Sequence, residues 1–190
     1  MLRDNGYHTY QVGKWHLGHT PEKRPYNRGF ERTIALGDTG ADNWEQRSYL
    51  PTYDKAHWFA DGKEHQLPDD FYSSRDLVNK MMSYVDEADP NKPFFGYLSL
   101  QAVHIPVQVP QEYIDKYNGV FDQGWDQMRE ERLPKAIELG LVPNTTKLAE
   151  VHEFHRKWDD LSEQDKAYWA RMMQVNAGMT EAADHHIGRL

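Results

Sequence analysis

Apolar residues recur at three- and four-residue spacing at Leu77, Met81, Val85 and Ala88, and again at Tyr168, Met172, Val175, Met179, Ala183 and Ile187. Each recurrence predicts a helix with one buried stripe. Ser73-x-x-Asp76 and Ser162-x-x-Asp165 stand ahead of the two stripes and resemble capping boxes, and Pro90 closes the first helix. Residues 94–100 form instead a short continuous apolar run, the pattern of a strand buried on both faces of a parallel sheet. Nearer the start, the chain reads as a helix end, a turn at Asn5-Gly6 and a strand reaching Lys14 and His16, with a second strand over 30–36. Strand, helix and strand in that order predict an α/β architecture.

The intervening segments are less regular. Residues 37–68 form a long polar and aromatic connection carrying Trp44, Tyr49, Tyr53, Trp58 and Phe59, with Asp61-Gly62 marking a tight turn or small hairpin. An irregular stretch of that length is usually functional or disordered. Residues 111–157 are strongly charged, with Arg129-Glu130-Glu131-Arg132 at their centre. They predict a polar helical excursion with a break at Pro134 or Pro143.

Composition narrows the classes of function. The 190 residues are long enough for one core. A net charge of -8 argues against a nucleic-acid surface. It leaves room for an anionic small substrate, because a local Lys/His pocket overrides the global sign. Mean hydropathy is low at -0.89, yet 6 Trp, 11 Tyr and 7 Phe mark a folded chain. No apolar run approaches the ~20 residues of a membrane helix, and no signal peptide is expected, since Met1-Leu2-Arg3-Asp4 runs straight into patterned sequence. Cysteine is absent, which excludes disulfides and thiolate zinc sites.

The candidate chemistry centres on Gly13-Lys14-Trp15-His16-Leu17-Gly18. On an extended segment, Lys14 and His16 point to one face, while Trp15 and Leu17 point the other way, into the core. A fixed cation beside a titratable imidazole suits an oxyanion ester. His104 lies just beyond the carboxyl end of the 94–100 strand, where open α/β sheets bind ligands. Asp42-Asn43 superficially resembles a calcium-binding pair, but a hard cation needs several convergent oxygens, so the pair reads as loop. Asn43 and Trp44 are candidates to line the organic half of a substrate. His152, His155, His185 and His186 read as solvated helix residues, leaving no metal ligand expected in the chain. Asn144-Thr145-Thr146 matches a glycosylation sequon.

The run from Gly6 to Gly18, then Arg28-Gly29-Phe30-Glu31-Arg32, Lys92-Pro93-Phe94-Phe95-Gly96-Tyr97-Leu98-Ser99-Leu100, His104-Ile105-Pro106 and Val109-Pro110, resembles the type I sulfatases of the alkaline phosphatase superfamily. The stretch 102–140 is most similar to bacterial arylsulfatases. The resemblance implies a partial alkaline-phosphatase-like α/β/α sandwich with a mixed, mostly parallel sheet. Residues 1–190 would form part of a sulfatase catalytic domain, with 111–160 as a polar helical insertion.

By the same resemblance, Lys14 contacts the substrate sulfate and the nucleophile. His16 hydrogen-bonds the formylglycine hydrate and acts as its base, while His104 binds the sulfate and protonates the leaving oxygen. Asn43 and Trp44 fall where related arylsulfatases have a different loop. The family's calcium ligands and its formylglycine precursor, a Cys/Ser-x-Pro/Ala-x-Arg motif, are expected outside this chain, which alone should be inactive. The partners implied are a small-molecule or carbohydrate sulfate ester and the remainder of the same polypeptide, with neither nucleic acid nor membrane. Many members are periplasmic or secreted and others cytosolic. A phosphodiesterase or phosphonate monoester hydrolase of the same superfamily, or a truncated non-catalytic relic or binding module, stand as alternatives.

Overall fold

A computed structural model describes residues 1–190. Five strands form one sheet: β1 (His8–Lys14), β2 (Arg32–Leu36), β3 (Trp58–Ala60), β4 (Lys63–Glu64) and β5 (Phe94–Ser99). Their order across the sheet is β4-β3-β2-β1-β5. β1 runs parallel to both β2 and β5, and β3 and β4 extend the sheet as an antiparallel hairpin. The α/β fold with a mixed sheet is therefore present, its parallel part being β2-β1-β5. The hairpin turns on Asp61 and Gly62, whose φ values of 47° and 81° are both left-handed. Two positive φ values match the twist of the flanking strands, which is why Asp-Gly sits there.

Side chains alternate along β1, and the parallel register carries that alternation across the sheet. Tyr10, Val12, Ile34 and Leu36 share one face and form a buried core with Trp58, Phe71, Leu77, Met81 and Tyr84. The last three belong to the helix α1 (Ser73–Asp86). Burying side chains of this size contributes about 1.5–3 kcal/mol each before entropy is counted. Gly96 lets α1 approach, since a Cβ there would lie 3.0 Å from Met81 Sδ.

The start of α1 differs from a capping box. Tyr72, not Ser73, is the N-cap, and Asp76 Oδ2 accepts from the Tyr72 backbone N–H at 2.5 Å. Ser73 Oγ donates instead to Asn43 Oδ1, tying the helix start to the loop after β2. The helix ends at Asp86, ahead of Ala88 and Pro90.

Two further expectations are corrected. β5 is an edge strand, and Phe94, Phe95 and Tyr97 are 49%, 42% and 45% exposed rather than buried on both faces. Its outer edge pairs with no strand of these 190 residues, although Tyr10 and Phe30 stack on Phe94 and Phe95. The last helix, α4 (Glu163–Ile187), begins after Ser162, whose Oγ accepts from the Asp165 N–H as expected. Its buried positions, however, are Ala170, Gln174, Met179, Ala182 and His186, while Tyr168 and Ile187 are exposed.

Contacts divide the chain into two compact units, Met1–Val109 with Met179–Leu190, and Pro110–Gly178. The second contains α2 (Gln111–Asp115), α3 (Gly124–Glu138) and the first part of α4. It has its own core of Phe121, Trp158, Leu161 and Ala170, with Trp125 set edge-on to Trp158 at 4.8 Å. α3 runs through Pro134 and stops at Leu139, where Gly140 takes a left-handed φ of 70°. The helix thus continues past Pro134, and the left-handed glycine ends it ahead of Pro143.

Candidate active site

β1 ends at Lys14, which pairs with Leu36 at the end of β2. Lys14 follows Gly13, whose φ of 111° interrupts strict alternation, and its side chain is partly buried. Burial lowers its ammonium from its ordinary value, and no carboxylate lies within ion-pair distance of it among the described residues. The strand end is fixed from β5: Ser99 Oγ donates to the Lys14 carbonyl at 2.7 Å, and Gln11 Nε2 donates to the Gly13 carbonyl at 3.0 Å. Gly13, with φ 111°, allows this close pairing, because a Cβ there would sit 2.0 Å from the Ser99 carbonyl oxygen. A partly desolvated cation held rigidly and without a counter-charge is suited to receive an anion.

The extended geometry expected to reach His16 stops at Lys14. His16 has φ 54°, a left-handed value uncommon outside glycine, and its side chain is exposed. Backbone strain of this kind concentrates at functional positions. Leu17, expected in the core, is 65% exposed, because the turn at His16 abolishes the alternation. Trp15 is half-buried, with Phe30 edge-on at 5.9 Å and its Nε1–H donated to the Lys23 carbonyl.

His104 follows β5, so Lys14, His16 and His104 all issue from the carboxyl ends of two adjacent parallel strands. Its Nδ1 lies 2.6 Å from the Ile105 carbonyl oxygen. A carbonyl only accepts, so Nδ1 carries the proton and Nε2 is the ring nitrogen left without that bond. Tyr49 is edge-on to the ring at 5.6 Å. Gly40 gives the ring room, since a Cβ there would lie 3.1 Å from Nδ1.

Asp42 and Asn43 are both buried and brace the His104 loop from behind. Asn43 Nδ2 donates to the Pro106 carbonyl, and its Oδ1 accepts from Ser73. Asn43, a candidate substrate-lining residue, is 1% exposed in this structure. Burial opposes ionisation of Asp42. Hydrogen bonds from Gln108, the Trp44 N–H, Arg47 and the Glu45 N–H outweigh it and hold the carboxyl below its usual range. With those donors on its oxygens, Asp42 is not shaped for calcium. Trp44 is 36% exposed and stacks on Tyr72 at 5.8 Å.

Sequence reasoning missed one cluster on this edge. His19, Asp38 and His57 bring three ligand-type atoms within 4.8 Å of one another. They lie 19 residues apart in each step, with no local spacing to mark them.

These features define an α/β protein with a Lys/His edge at the carboxyl ends of its parallel strands. A sulfatase family model matches residues 1–190, and the chain belongs to that family. It is 34% identical over 191 residues to an arylsulfatase of Klebsiella aerogenes, all of this chain matching 41% of that protein. It is 36% identical over 201 residues to an uncharacterized sulfatase of Schizosaccharomyces pombe, all of this chain matching 36% of that protein. The chain thus spans about two fifths of these curated relatives.

Among solved structures, one in complex with its substrate D-glucosamine-2-N,6-O-disulfate is 20% identical, with a TM-score of 0.57. It matches over 99% of this chain and 44% of its own. That likeness concerns the fold.

Proposed function

We propose that this chain supplies the Lys14, His16 and His104 part of a sulfate-ester hydrolase site, completed by further residues of the polypeptide. The overall reaction is R–O–SO3⁻ + H2O → R–OH + HSO4⁻. The ester S–O bond breaks, a new S–O bond forms to the oxygen that water supplies, and a proton passes to the leaving oxygen. The observation that carries this reading is Lys14, partly buried and without an ion-pair partner at the end of β1.

Lys14 binds the sulfate oxygens and steadies their charge. His104, with Nδ1 committed to Ile105, delivers a proton from Nε2 to the leaving oxygen, an effect worth about 10²–10⁴-fold. His16 handles the proton of the nucleophile. Calcium and a formylglycine nucleophile, typical of the family, would polarise the sulfate and attack it. This chain's residues fit neither: it holds no Cys and no Cys/Ser-x-Pro/Ala-x-Arg run, and Asp42 is occupied by hydrogen-bond donors. No step is therefore assigned to those groups here.

The exposed ring of Trp44 offers a flat surface to an aryl group or a sugar face. Residues 111–160 are read as a polar helical insertion within the catalytic domain. The test is hydrolysis by the intact polypeptide of aryl and carbohydrate sulfates beside a phosphate monoester and a phosphodiester. Preference for sulfate that collapses in Lys14→Ala supports the proposal. Equal or faster turnover of the phosphodiester turns the assignment to the phosphodiesterase alternative.

A further inference from the structure

We propose that His19, Asp38 and His57 form a binding site for a divalent transition metal of the zinc class, separate from the calcium expected of the family. Asp38 is the anchor: its side chain is 1% exposed, at the loop just beyond β2. His19 Nε2 lies 2.9 Å from Asp38 Oδ1, and His57 Nδ1 lies 3.1 Å from Oδ2. All three ligand-type atoms fall within 4.8 Å. Bonds of about 2.0–2.1 Å to a tetrahedral ion put neighbouring ligands about 3.3 Å apart. The two histidine-to-Asp38 separations are close to that, and the remaining one is no more than 4.8 Å.

The surroundings already hold these ligands in orientation. The His57 backbone N–H donates to Asp38 Oδ2 at 2.6 Å, and its carbonyl accepts from the Gly37 N–H at 2.9 Å. A Cβ on Gly37 would lie 3.1 Å from His19 Cδ2, so the bare glycine gives that ring its seat. The two imidazole rings stack at 5.1 Å, and Tyr53 packs against both, at 5.7 Å from His19 and 5.5 Å from His57.

Two imidazoles and one carboxylate are the donor set of zinc and related ions. A hard oxygen-seeking cation such as calcium would be poorly served. The imidazoles remain about one-third exposed, which leaves a fourth position open to water. Such an ion would clip the loops after β1 and β2 to the residue just before β3, all on the edge that carries Lys14.

The experiment uses the intact polypeptide, stripped with a chelator and titrated with Zn²⁺, with Co²⁺ as a spectroscopic probe and excess Ca²⁺ as competitor. The wild type should bind one more equivalent of Zn²⁺ than His19→Gln or His57→Gln, and calcium should not displace it. The visible bands of nitrogen-ligated Co²⁺ should be lost in both variants. His19 is the more exposed of the pair and makes a single bond to Asp38, so His19→Gln keeps the test valid if His57→Gln fails to fold. Equal Zn²⁺ stoichiometry and equal Co²⁺ spectra in wild type and His19→Gln would overturn the proposal and leave a hydrogen-bonded latch. None of these readouts is sulfate hydrolysis, so the metal site stands or falls independently of the proposed reaction.

Discussion

Replacing Gly13 by Ala tests how the sheet holds its site. Two costs add at this position. The φ of 111° is one that L side chains rarely adopt, and left-handed backbone costs about 1–2 kcal/mol outside glycine. The new Cβ would also fall 2.0 Å from the Ser99 carbonyl oxygen and 2.7 Å from its carbon, both backbone atoms of the neighbouring strand. Neither can rotate away, so β1 and β5 must part, an overpacking cost of about 1–3 kcal/mol. The sum is about 2–5 kcal/mol.

Gly29 supplies the internal control. Its φ is 105°, yet a Cβ added there would meet nothing within 4 Å. Gly29→Ala should therefore cost only the conformational part, about 1–2 kcal/mol. Urea unfolding of the intact polypeptide, with each variant against wild type, reads the difference. Parting the strands also displaces the Ser99 bond to the Lys14 carbonyl, so Gly13→Ala should lose activity where Gly29→Ala keeps it. Equal destabilisation by the two substitutions would refute the close β1–β5 pairing on which the placement of Lys14 depends.

Lys14→Ala should lower kcat for sulfate ester hydrolysis by about 10²–10³-fold, the loss typical of a preorganised charge contact. Its unfolding midpoint should barely change, because the ammonium has no ion pair to lose; steady-state kinetics and urea melts check both halves. Asp42→Asn should destabilise by about 1.5–3 kcal/mol at neutral pH, the worth of hydrogen bonds to a charged group. The Asp42 carboxyl is held below its ordinary 3.8 in the folded chain, so this stability is fully present above pH 3.8 and lost as pH falls through the folded value. The variant's penalty should accordingly shrink in acid unfolding below pH 3.8, and a penalty that stays constant there would contradict it. The 190-residue piece expressed alone should self-associate through β5, whose Phe94, Phe95 and Tyr97 are exposed on an open edge. Light scattering would refute this by returning a monomer.

The elements that sequence pattern predicts well are those whose signal is local. Asp61-Gly62 demanded a turn with two positive φ values and obtained one. The stripe at Leu77 and Met81 marks the buried face of α1, because both residues meet the sheet at helical spacing. The capping box at Ser73 fails for a nonlocal reason, since its hydroxyl is drawn to Asn43, 30 residues earlier. Alternation at Leu17 fails because the left-handed His16 ends the strand, and no residue type announces a positive φ at a histidine. The stripe on α4 is misassigned for another reason. Its buried positions are Ala170, Gln174, Gly178, Met179, Ala182 and His186, so of the predicted stripe only Met179 is fully buried.

The same distinction separates the two groups of residues at the sheet edge. Lys14 and His16 are two residues apart and His104 closely follows a strand, so each announces itself within a short run of sequence. His19, Asp38 and His57 carry no such mark. They meet because β1 and β2 are parallel and deliver their outgoing loops to one edge, while antiparallel β3 begins at that edge just after His57. Topology alone makes them neighbours. The long connection over 37–57 gains its order from the same arrangement. Asp38 receives two histidines, Asp42 gathers Arg47 and Gln108, and Gln46 bonds the carbonyls of Ala56 and His65. Each bond crosses a distance in sequence that periodicity does not register, and each anchors the loop carrying Trp44 against the edge. An irregular stretch of this length, expected to be functional or disordered, is therefore a loop stitched by side-chain hydrogen bonds beside the edge that carries Lys14.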